Sequence, residues 1–299
     1  MDEHRQGTRR AGAYLARWAA QVEAELERLL PAESEPPQVL HRAMRYATLS
    51  PGKRLRAVLA VAACEAVGAD GDRALALGAA IEMIHAYSLV HDDLPAMDDD
   101  DWRRGRPSCH RAFGEGIAIL AGDALQTLAF EVLSQLPARA GIQPATAVAV
   151  SAVLARAAGS RGMAGGQAAD LAAVGRAVDA ATLSFIHRHK TGALIRASLV
   201  SGALVGLDEG EAGLRHPAVE ALGRFGESLG VAFQIVDDLL DAGDERKAHE
   251  ASYARLLGAE RAVQEADRLT QEALAALQAL GPSGELLGDM ARLLRHREA

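Results

Sequence analysis

The chain has 299 residues, of which 49% are hydrophobic and 24% are charged, and its formal net charge is −8. This balance excludes collagen-like, wholly disordered and disulfide-scaffold proteins. The negative charge and an aromatic content of 4% argue against a nucleic-acid-binding face. The two cysteines, Cys64 and Cys109, are too few for a disulfide framework and fit a reducing compartment.

The N-terminal segment does not resemble a targeting signal, because its charges are mixed and no apolar stretch follows them. The longest weakly polar run, at about 145–155, is shorter than the roughly 18 residues that a membrane span needs. We therefore expect a cytoplasmic protein without a membrane span.

Apolar residues recur at helical spacing along the chain, starting with a stripe that ends at Leu29 before a proline-containing loop. Further helices are predicted over 38–48, 54–68, 73–94, 115–136, 144–159, 179–205, 217–242, 259–279 and 284–296. Alternating β-branched patterns are almost absent, and several helices are apolar on more than one face. The sequence predicts an all-α fold, with residues 1–299 forming a single helical-bundle domain.

The segment from His91 to Gly105 contains six aspartates within ten positions, directly after an apolar run. Asp92 and Asp93 should therefore lie at the end of a core helix. Pro95 cannot continue that helix, and a break there lets Asp98 turn back towards Asp92. Acidic runs are usually solvated loops, so this segment alone is a weak indication of metal binding.

A second apolar helix also ends in two aspartates, Asp237 and Asp238, with Asp241 one turn beyond Asp237. Carboxylates without histidine or cysteine partners suit Mg²⁺, whereas zinc and iron usually recruit those residues. The repeated arrangement therefore predicts Mg²⁺ bound together with substrate phosphates.

Positive charges complete this pattern. Lys53 and Arg56 lie three residues apart at a predicted helix start, which puts them on one face of that helix. Arg103 and Arg104 follow the first acidic run, and Lys190 lies in a long helix. Each group alone is typical of a solvated basic face. In an acidic protein with two Mg²⁺-type clusters, phosphate recognition explains them together.

These motifs resemble those of the trans-isoprenyl diphosphate synthases, or polyprenyl synthetases, and most closely those of bacterial farnesyl diphosphate synthases. The similar segments are 52–56, 85–93, 120–126, 162–167 (a glycine-rich loop), 187–192 and both aspartate clusters. The resemblance implies an isoprenoid-synthase-type helical bundle around a deep central cavity, usually in a homodimer. It also implies a Mg²⁺-dependent condensation of isopentenyl diphosphate with an allylic diphosphate.

The resemblance further assigns roles to individual residues. It implies three Mg²⁺ ions per site on Asp92, Asp98 and Asp237, with Asp93, Asp238 and Asp241 as further or outer ligands. It implies that the allylic diphosphate binds Arg103 and Lys190, and that isopentenyl diphosphate binds Lys53, Arg56, His85 and Arg104. It implies that Gln234, Thr191 and nearby backbone carbonyls face the developing carbocation.

Helical geometry adds to these assignments. His85 precedes Asp92 by seven residues and so returns to nearly the same helix face. Tyr87 precedes Asp92 by five residues, about 7–8 Å along the axis. In bacterial farnesyl synthases an aromatic residue there limits chain growth, so the resemblance implies a farnesyl product. Ser88 lies more squarely below Asp92, which puts Tyr87 at the side of the channel.

The resemblance weakens after Asp241. The loop at 242–248 is shorter than usual, and Glu250 stands where a second lysine is expected. Lys247 or Arg246 could substitute for the missing charge. The departures predict weaker binding of the allylic substrate, a looser lid over the site, or an altered substrate preference.

Alternative functions remain open. A geranylgeranyl or geranyl diphosphate synthase would use the same site with a different product length. A non-catalytic partner subunit of a heteromeric synthase would be free to lose its aspartates, which are all present here. A terpene cyclase would need neither the second aspartate cluster nor the basic segment at 52–56.

Overall fold

The computed structural model describes residues 2–176, 178–241 and 252–296. The helices are α1 (Asp2–Leu29), α2 (Gln38–Thr48), α3 (Leu55–Ala66), α4 (Leu75–Asp92), α5 (Cys109–Phe113), α6 (Glu115–Ser134), α7 (Leu136–Ala140), α8 (Pro144–Ala158), α9 (Met163–Ala173), α10 (Ala180–Ile186), α11 (Ala193–Leu207), α12 (Pro217–Leu240), α13 (Tyr253–Leu257), α14 (Ala259–Ala276) and α15 (Glu285–Arg295). Short 3₁₀ turns lie at Gly71–Ala74, Gly210–Arg215 and Leu277–Gly284. The predicted all-α class is confirmed.

Two helices, α4 and α11, lie at the centre of the bundle. Helix α4 packs between α3 and α6, and α11 packs against α3, α8 and α12. A Cβ atom added to Gly202 of α11 would lie 2.0 Å from the carbonyl oxygen of Ala60. The backbones of α11 and α3 are therefore in direct contact at this point, which only glycine allows.

The long helix predicted over 179–205 is interrupted. A π-helix, His187–Gly192, joins α10 to α11. The 3.6-residue pattern predicts a continuous helix here, because one wider turn barely disturbs the apolar spacing. Such π-helical turns occur frequently at functional sites, and this one carries Lys190 and Thr191.

The segment 162–167, which the sequence analysis treats as a glycine-rich loop, is mostly helical. Helix α9 begins at Met163. Its Gly166 makes room for a neighbour, since an added Cβ would lie 2.1 Å from the backbone nitrogen of Lys190. The glycine content therefore reflects close helix packing at this position, and the loop prediction was wrong.

A short hairpin lies within the otherwise helical part that the structure describes. Strand β1 (Trp102–Arg103) pairs antiparallel with β2 (Arg106–Pro107), and Arg104 and Gly105 form the turn with φ of 53° and 75°. Both turn residues have positive φ, as a two-residue hairpin turn of type I′ requires. The sequence analysis predicted no strand here. The hairpin directs Arg103 and Arg104 in different directions.

Three helical stretches have the length and apolar composition of a membrane span: Gly71–Asp92, Glu115–Ser134 and Ala180–Leu207. The sequence-based argument missed them because it considered uninterrupted apolar runs. The bundle buries 72% and 67% of the apolar window of the first and third stretches but 39% of the second. Helix α6 therefore keeps an exposed apolar face, on which Ile119 and Leu120 are 44% and 53% accessible.

Candidate active site

A cavity of about 290 Å³ lies between α3, α4, α9 and the π-helix. Its polar wall includes Arg56, His85, Asp92 and Lys190, and its apolar wall includes Tyr87, Leu89, Met97, Met163 and Leu171. A larger surface groove of about 770 Å³, between the end of α1 and α6, is lined by none of the predicted site residues. Of these two cavities, only the first is lined by the charged residues that the sequence analysis predicts for the site.

The chain reverses at the end of α4, as Pro95 predicts. Asp92 is the last residue of α4, and the backbone N–H of Asp98 donates a 2.8 Å hydrogen bond to the carbonyl oxygen of Asp92. Asp99 has a positive φ of 54°, which completes the reversal. Asp98 is thereby brought back beside Asp92, at the mouth of the cavity.

The carboxyl group of Asp92 lacks sufficient positive charge around it. Burial raises its pKa to about 7, with Lys190 lowering it and Asp98 raising it. Lys190 Nζ lies 3.9 Å from Asp98 Oδ2. A cation that binds oxygen ligands would therefore stabilise the charged form of Asp92 at this end of the cavity.

Two residues of α9, Gln167 and Asp170, make hydrogen bonds to Asp98 and Lys190. Gln167 Nε2 donates to Asp98 Oδ1 at 3.2 Å, and Lys190 Nζ donates to Asp170 Oδ2 at 2.7 Å. Sequence reasoning assigned neither residue a role. The signal was present, since polar residues three apart in an otherwise apolar stretch share one helix face.

The second aspartate cluster lies at the end of α12, which packs directly on the π-helix. A Cβ atom on Gly230 would lie 2.6 Å from the Cα of Gly192. This close approach lets Thr191 Oγ1 donate a 2.8 Å hydrogen bond to Gln234 Oε1. Gln234 therefore faces Thr191, which lines the cavity as predicted.

Asp237 and Asp241 occupy the last turn of α12 and its cap. The charge of Asp237 acts on Arg56, whose pKa burial lowers and Glu82 and Asp237 raise. The backbone N–H of Asp241 donates to the carbonyl oxygen of Asp237. The second cluster thus lies within electrostatic range of the basic wall.

The basic wall combines Arg56 and His85 with the turn residue Arg104. Arg56 Nη1 lies 3.3 Å from His85 Nε2, which must accept because a guanidinium only donates. Burial, followed by the charges of Arg56 and Arg104, lowers the pKa of His85 well below its usual range. His85 is therefore neutral near pH 7, and the surrounding arginines form a site for an anion.

The side chain of Arg104 occupies space that is open only because residue 52, in the basic segment at 52–56, is a glycine. An added Cβ on Gly52 would lie 2.6 Å from Arg104 Nη1. Arg104 Nη1 also lies 3.4 Å from Ser50 Oγ, to which it donates. The segment before α3 and the hairpin turn therefore fit together through Gly52.

The argument that placed Lys53 and Arg56 on one helix face was wrong. Helix α3 begins at Leu55, one residue later than predicted, and Arg54 precedes it with a left-handed φ of 48°. Lys53 is exposed and outside the helix. Arg54 points inward, where it pairs with Glu23 at 3.3 Å and lies 3.8 Å from Glu82.

Arg103 is held by carboxylates. Its Nε donates to Asp93 Oδ1 at 2.9 Å, its Nη2 donates to the same oxygen, and Nη2 also donates to Asp100 Oδ2 at 2.9 Å. Asp93 is buried, with 2% of its surface accessible. The two members of the first aspartate pair therefore make different contacts.

Comparison with known proteins agrees with this geometry. The profile of the polyprenyl synthetase family matches residues 37–254. The chain belongs to the polyprenyl synthetase family. Farnesyl diphosphate synthase of Escherichia coli is 46% identical over 248 residues, covering 79% of this chain and 81% of that protein. The chain is thus a trans-prenyltransferase.

Other relatives in the family differ in product. The chloroplastic geranylgeranyl pyrophosphate synthase of Capsicum annuum is 44% identical over 249 residues, which cover 79% of this chain and 65% of that protein. The crystal structure of an FPP/GFPP synthase from Zymomonas mobilis superposes with a TM-score of 0.86 at 39% identity, covering 95% of this chain and 98% of that one. The family is therefore established, whereas the comparisons leave the product length open.

As in the resemblance, Tyr87 and Ser88 of α4 line the cavity below Asp92. Tyr87 is 8% accessible, and its hydroxyl contacts the side chain of Gln126 on α6. Tyr87 and His91 meet edge to face, with ring centroids 6.0 Å apart. Gly122 of α6 leaves room for His91, since an added Cβ would lie 2.1 Å from its Nε2.

The donor set fits the Mg²⁺ that the family resemblance implies. Among the described residues, no group of three or more histidine, cysteine, aspartate or glutamate side chains is close enough to hold a metal alone. Mg²⁺ commonly takes one or two carboxylates together with substrate phosphate oxygens and water. Asp92 and Asp98 would supply such oxygens at the end of α4, and Asp237 and Asp241 would supply them at the end of α12.

The departures from the family pattern after Asp241 lie mostly outside the described residues. This applies to Arg246, Lys247 and Glu250. The described chain resumes at Ser252, and the backbone N–H of Tyr253 donates to Asp238 Oδ2 at 3.0 Å.

Proposed function

We propose that this prenyltransferase condenses isopentenyl diphosphate with dimethylallyl or geranyl diphosphate, head-to-tail, to give farnesyl diphosphate and diphosphate, and that it requires Mg²⁺. The observation that carries the proposal is the cavity itself, which has Asp92 and Lys190 at its polar wall and Tyr87 below them. Family membership supports the reaction class.

The allylic diphosphate would bind between Lys190 and Arg103, with Asp92 and Asp98 beside it. Both cations are held by carboxylates, Lys190 by Asp170 and Arg103 by Asp93. Positioned charges of this kind stabilise a leaving group without reorganisation during the reaction. Mg²⁺, when bound by the carboxylates of the two clusters, would neutralise the charge of the departing diphosphate.

Isopentenyl diphosphate would bind the basic wall formed by Arg56, His85 and Arg104, with Lys53 near its rim. His85 is neutral at physiological pH and can therefore act through one ring nitrogen as acceptor and the other as donor. A second diphosphate site is what distinguishes a chain-elongating enzyme from a terpene cyclase. The observed basic wall favours elongation.

The chemistry requires few protein groups. The allylic C–O bond breaks and its electrons leave with diphosphate, so that a carbocation remains. The alkene of isopentenyl diphosphate forms the new C–C bond at this carbon, and the released diphosphate accepts the proton then lost. Thr191 lines the cavity and donates to Gln234 Oε1, so these two groups would face the cation, and the apolar wall would exclude water that quenches it.

Tyr87 supports a farnesyl product, because its buried ring lies on the channel wall one to two turns below Asp92. A geranylgeranyl product is the second candidate, since the Capsicum annuum relative is a geranylgeranyl pyrophosphate synthase. Purified protein should be given labelled isopentenyl diphosphate with each allylic partner, with and without Mg²⁺, and the products sized. Cyclic hydrocarbons would indicate a cyclase instead.

A homodimer is part of this proposal. The exposed apolar residues Ile119 and Leu120 of α6 support it, because large exposed apolar side chains on one helix favour an interface. Sedimentation equilibrium of the purified chain tests it. A monomer that elongates only after addition of a second protein would favour the alternative of a partner subunit in a heteromeric synthase.

A further inference from the structure

In each aspartate pair, Asp92-Asp93 and Asp237-Asp238, the first and the second residue have different surroundings. Asp92 lines the cavity, and Asp237 acts electrostatically on Arg56 of the cavity wall. Asp93 is 2% accessible, and 8% of the side-chain surface of Asp238 is accessible. Consecutive residues at a helix end point about 100° apart, so one member can face the substrate while the other faces the protein.

Asp93 faces Arg103. One of its oxygens accepts hydrogen bonds from both Nε and Nη2 of the guanidinium. The guanidinium is planar and its donors have fixed directions, so these two bonds set its orientation as well as its position. Burial lowers the pKa of Arg103, but the hydrogen bond with Asp93, together with the charges of Asp93, Asp100 and Asp92, raises it above its usual value. Asp100 fixes the same group from a third direction.

Asp238 faces Gln234. Its Oδ1 accepts from Gln234 Nε2 at 3.2 Å, and its Oδ2 accepts from the backbone N–H of Tyr253 at 3.0 Å. His187 Nε2 lies 3.6 Å from Oδ2. Both carboxylate oxygens of Asp238 therefore have partners inside the protein.

The contact with Asp238 decides which end of the Gln234 amide faces Thr191. An ionised carboxylate only accepts, so it binds the amide nitrogen and leaves the amide oxygen towards Thr191 Oγ1, 2.8 Å away. Without this acceptor the amide could turn over and present N–H groups to the cavity. A donor aimed at a developing carbocation would be unfavourable, whereas an amide oxygen stabilises it.

We propose that the second aspartate of each pair is a positioning residue: Asp93 orients the guanidinium of Arg103, and Asp238 orients the amide of Gln234. The first aspartates, Asp92 and Asp237, keep the metal-binding role that the family resemblance implies. This division of roles rests on the proposed function, and it narrows the ligand set that the family resemblance implies.

Metal binding can be measured without turnover. Mn²⁺ replaces Mg²⁺, inorganic diphosphate is added, and bound Mn²⁺ is followed by electron paramagnetic resonance in single Asp→Asn variants of Asp92, Asp237 and Asp238. Asp92→Asn and Asp237→Asn are expected to weaken Mn²⁺ binding by more than about tenfold, because each removes a charged ligand. Asp238→Asn is expected to stay within about threefold of the wild type. The exposed Asp72 supplies the control variant Asp72→Asn.

Asp93 needs a different comparison, because Asp93→Asn leaves a buried guanidinium without its partner and can unfold the chain. The variant Asp93→Asn/Arg103→Gln removes both charges and is compared with Arg103→Gln alone. The two are expected to bind Mn²⁺ within about threefold of each other. A loss of more than about tenfold for either second aspartate would show that it is a metal ligand and would overturn the proposal.

Kinetic cycles test the positioning itself. Arg103→Gln is expected to raise the KM of the allylic diphosphate by about tenfold, roughly the loss of 1.4 kcal/mol of binding, and adding Asp93→Asn should raise it no further. Asp238→Asn and Gln234→Leu are each expected to lower kcat, and the double variant should match Gln234→Leu. Additive losses in either cycle would contradict positioning. A wild-type protein that elongates no substrate would contradict the proposed function instead, while the Mn²⁺ comparison still decides the roles of Asp93 and Asp238.

Discussion

The backbone N–H of Asp98 donates a 2.8 Å hydrogen bond to the carbonyl oxygen of Asp92, across the break that Pro95 imposes on the end of α4. This bond holds the two aspartates close together although their carboxylates repel each other. The repulsion is retained in the folded chain, where Asp98 adds to the effect of burial on the pKa of Asp92. The first aspartate cluster is therefore prepared for a cation and is strained without one.

The pKa of Asp92 leads to a prediction about pH. Burial raises it from 3.8 to about 7, so the folded chain binds more protons than the unfolded chain between these values. In the absence of metal, the free energy of unfolding should fall as pH rises from about 4 to 7, by up to about 4 kcal/mol. Mg²⁺ with inorganic diphosphate should reduce this fall, because the ions bind the charged form.

Chemical denaturation at several pH values, with and without Mg²⁺ and diphosphate, measures the effect. Asp92→Asn serves as the reference, since it cannot titrate. If this variant shows the same pH slope as the wild type, Asp92 is not the source.

A second prediction concerns the packing of α9 on the π-helix. Gly166→Ala would place a Cβ 2.1 Å from the backbone nitrogen of Lys190, and backbone cannot move aside cheaply. We expect a loss of about 1–3 kcal/mol in stability, as overpacking typically causes, together with a loss of activity through displacement of Lys190.

Gly12→Ala on α1 is the matched control, because nothing lies within 4 Å of the added Cβ. It should stabilise the chain by about 0.5–1 kcal/mol, since glycine is unfavourable within helices. Thermal melts of both variants provide the measurement, and equal melting temperatures would contradict the packing argument.

A third prediction separates the two diphosphate sites. In Gly52→Ala the new Cβ would lie 2.6 Å from Arg104 Nη1, the end of a flexible side chain that can move at little cost. Stability should therefore change little, while the KM for isopentenyl diphosphate rises by about tenfold, as loss of one charged contact would cause. The KM for the allylic diphosphate should stay the same. A parallel rise in both constants would show that Arg104 does not discriminate between the sites.

A fourth prediction concerns product length. Tyr87→Ala removes a buried ring from the channel wall and should shift the products towards longer chains. Tyr87→Phe keeps the ring and should keep the wild-type product, although it loses the contact with Gln126. Sizing of the labelled products by chromatography distinguishes these outcomes, and an unchanged length in Tyr87→Ala would remove Tyr87 from this role.

Much of the site follows from local sequence rules. Proline cannot continue a helix beyond its first turn without losing a backbone hydrogen bond, so the break that returns Asp98 to Asp92 could be predicted from Pro95. The position of Asp237 and Asp238 in the last turns of α12 could likewise be predicted from the apolar run before them. These features depend on neighbours in the chain, and the structure has them as predicted.

Other features depend on contacts between distant segments and could not be predicted. The close approach of Gly166 to Lys190 explains a glycine that suggests a loop when the sequence is considered alone, and the close approach of Gly230 to Gly192 lies inside predicted helices whose packing the sequence leaves undetermined. Arg54 illustrates the same limit, since its pairing with Glu82 across two helices removes it from the basic wall. Local pattern gives the position of a charge along the chain but leaves its partner undetermined.

The central claim is that the two aspartate clusters and the basic wall form one site for diphosphate-dependent chain elongation. The most direct test incubates the purified chain with geranyl diphosphate and labelled isopentenyl diphosphate, in Mg²⁺ and in EDTA, and identifies the products. The account predicts farnesyl diphosphate in Mg²⁺, none in EDTA, and none from Asp92→Asn. Elongation that proceeds equally in EDTA, or a wild-type chain that makes no product with any allylic partner, would contradict it.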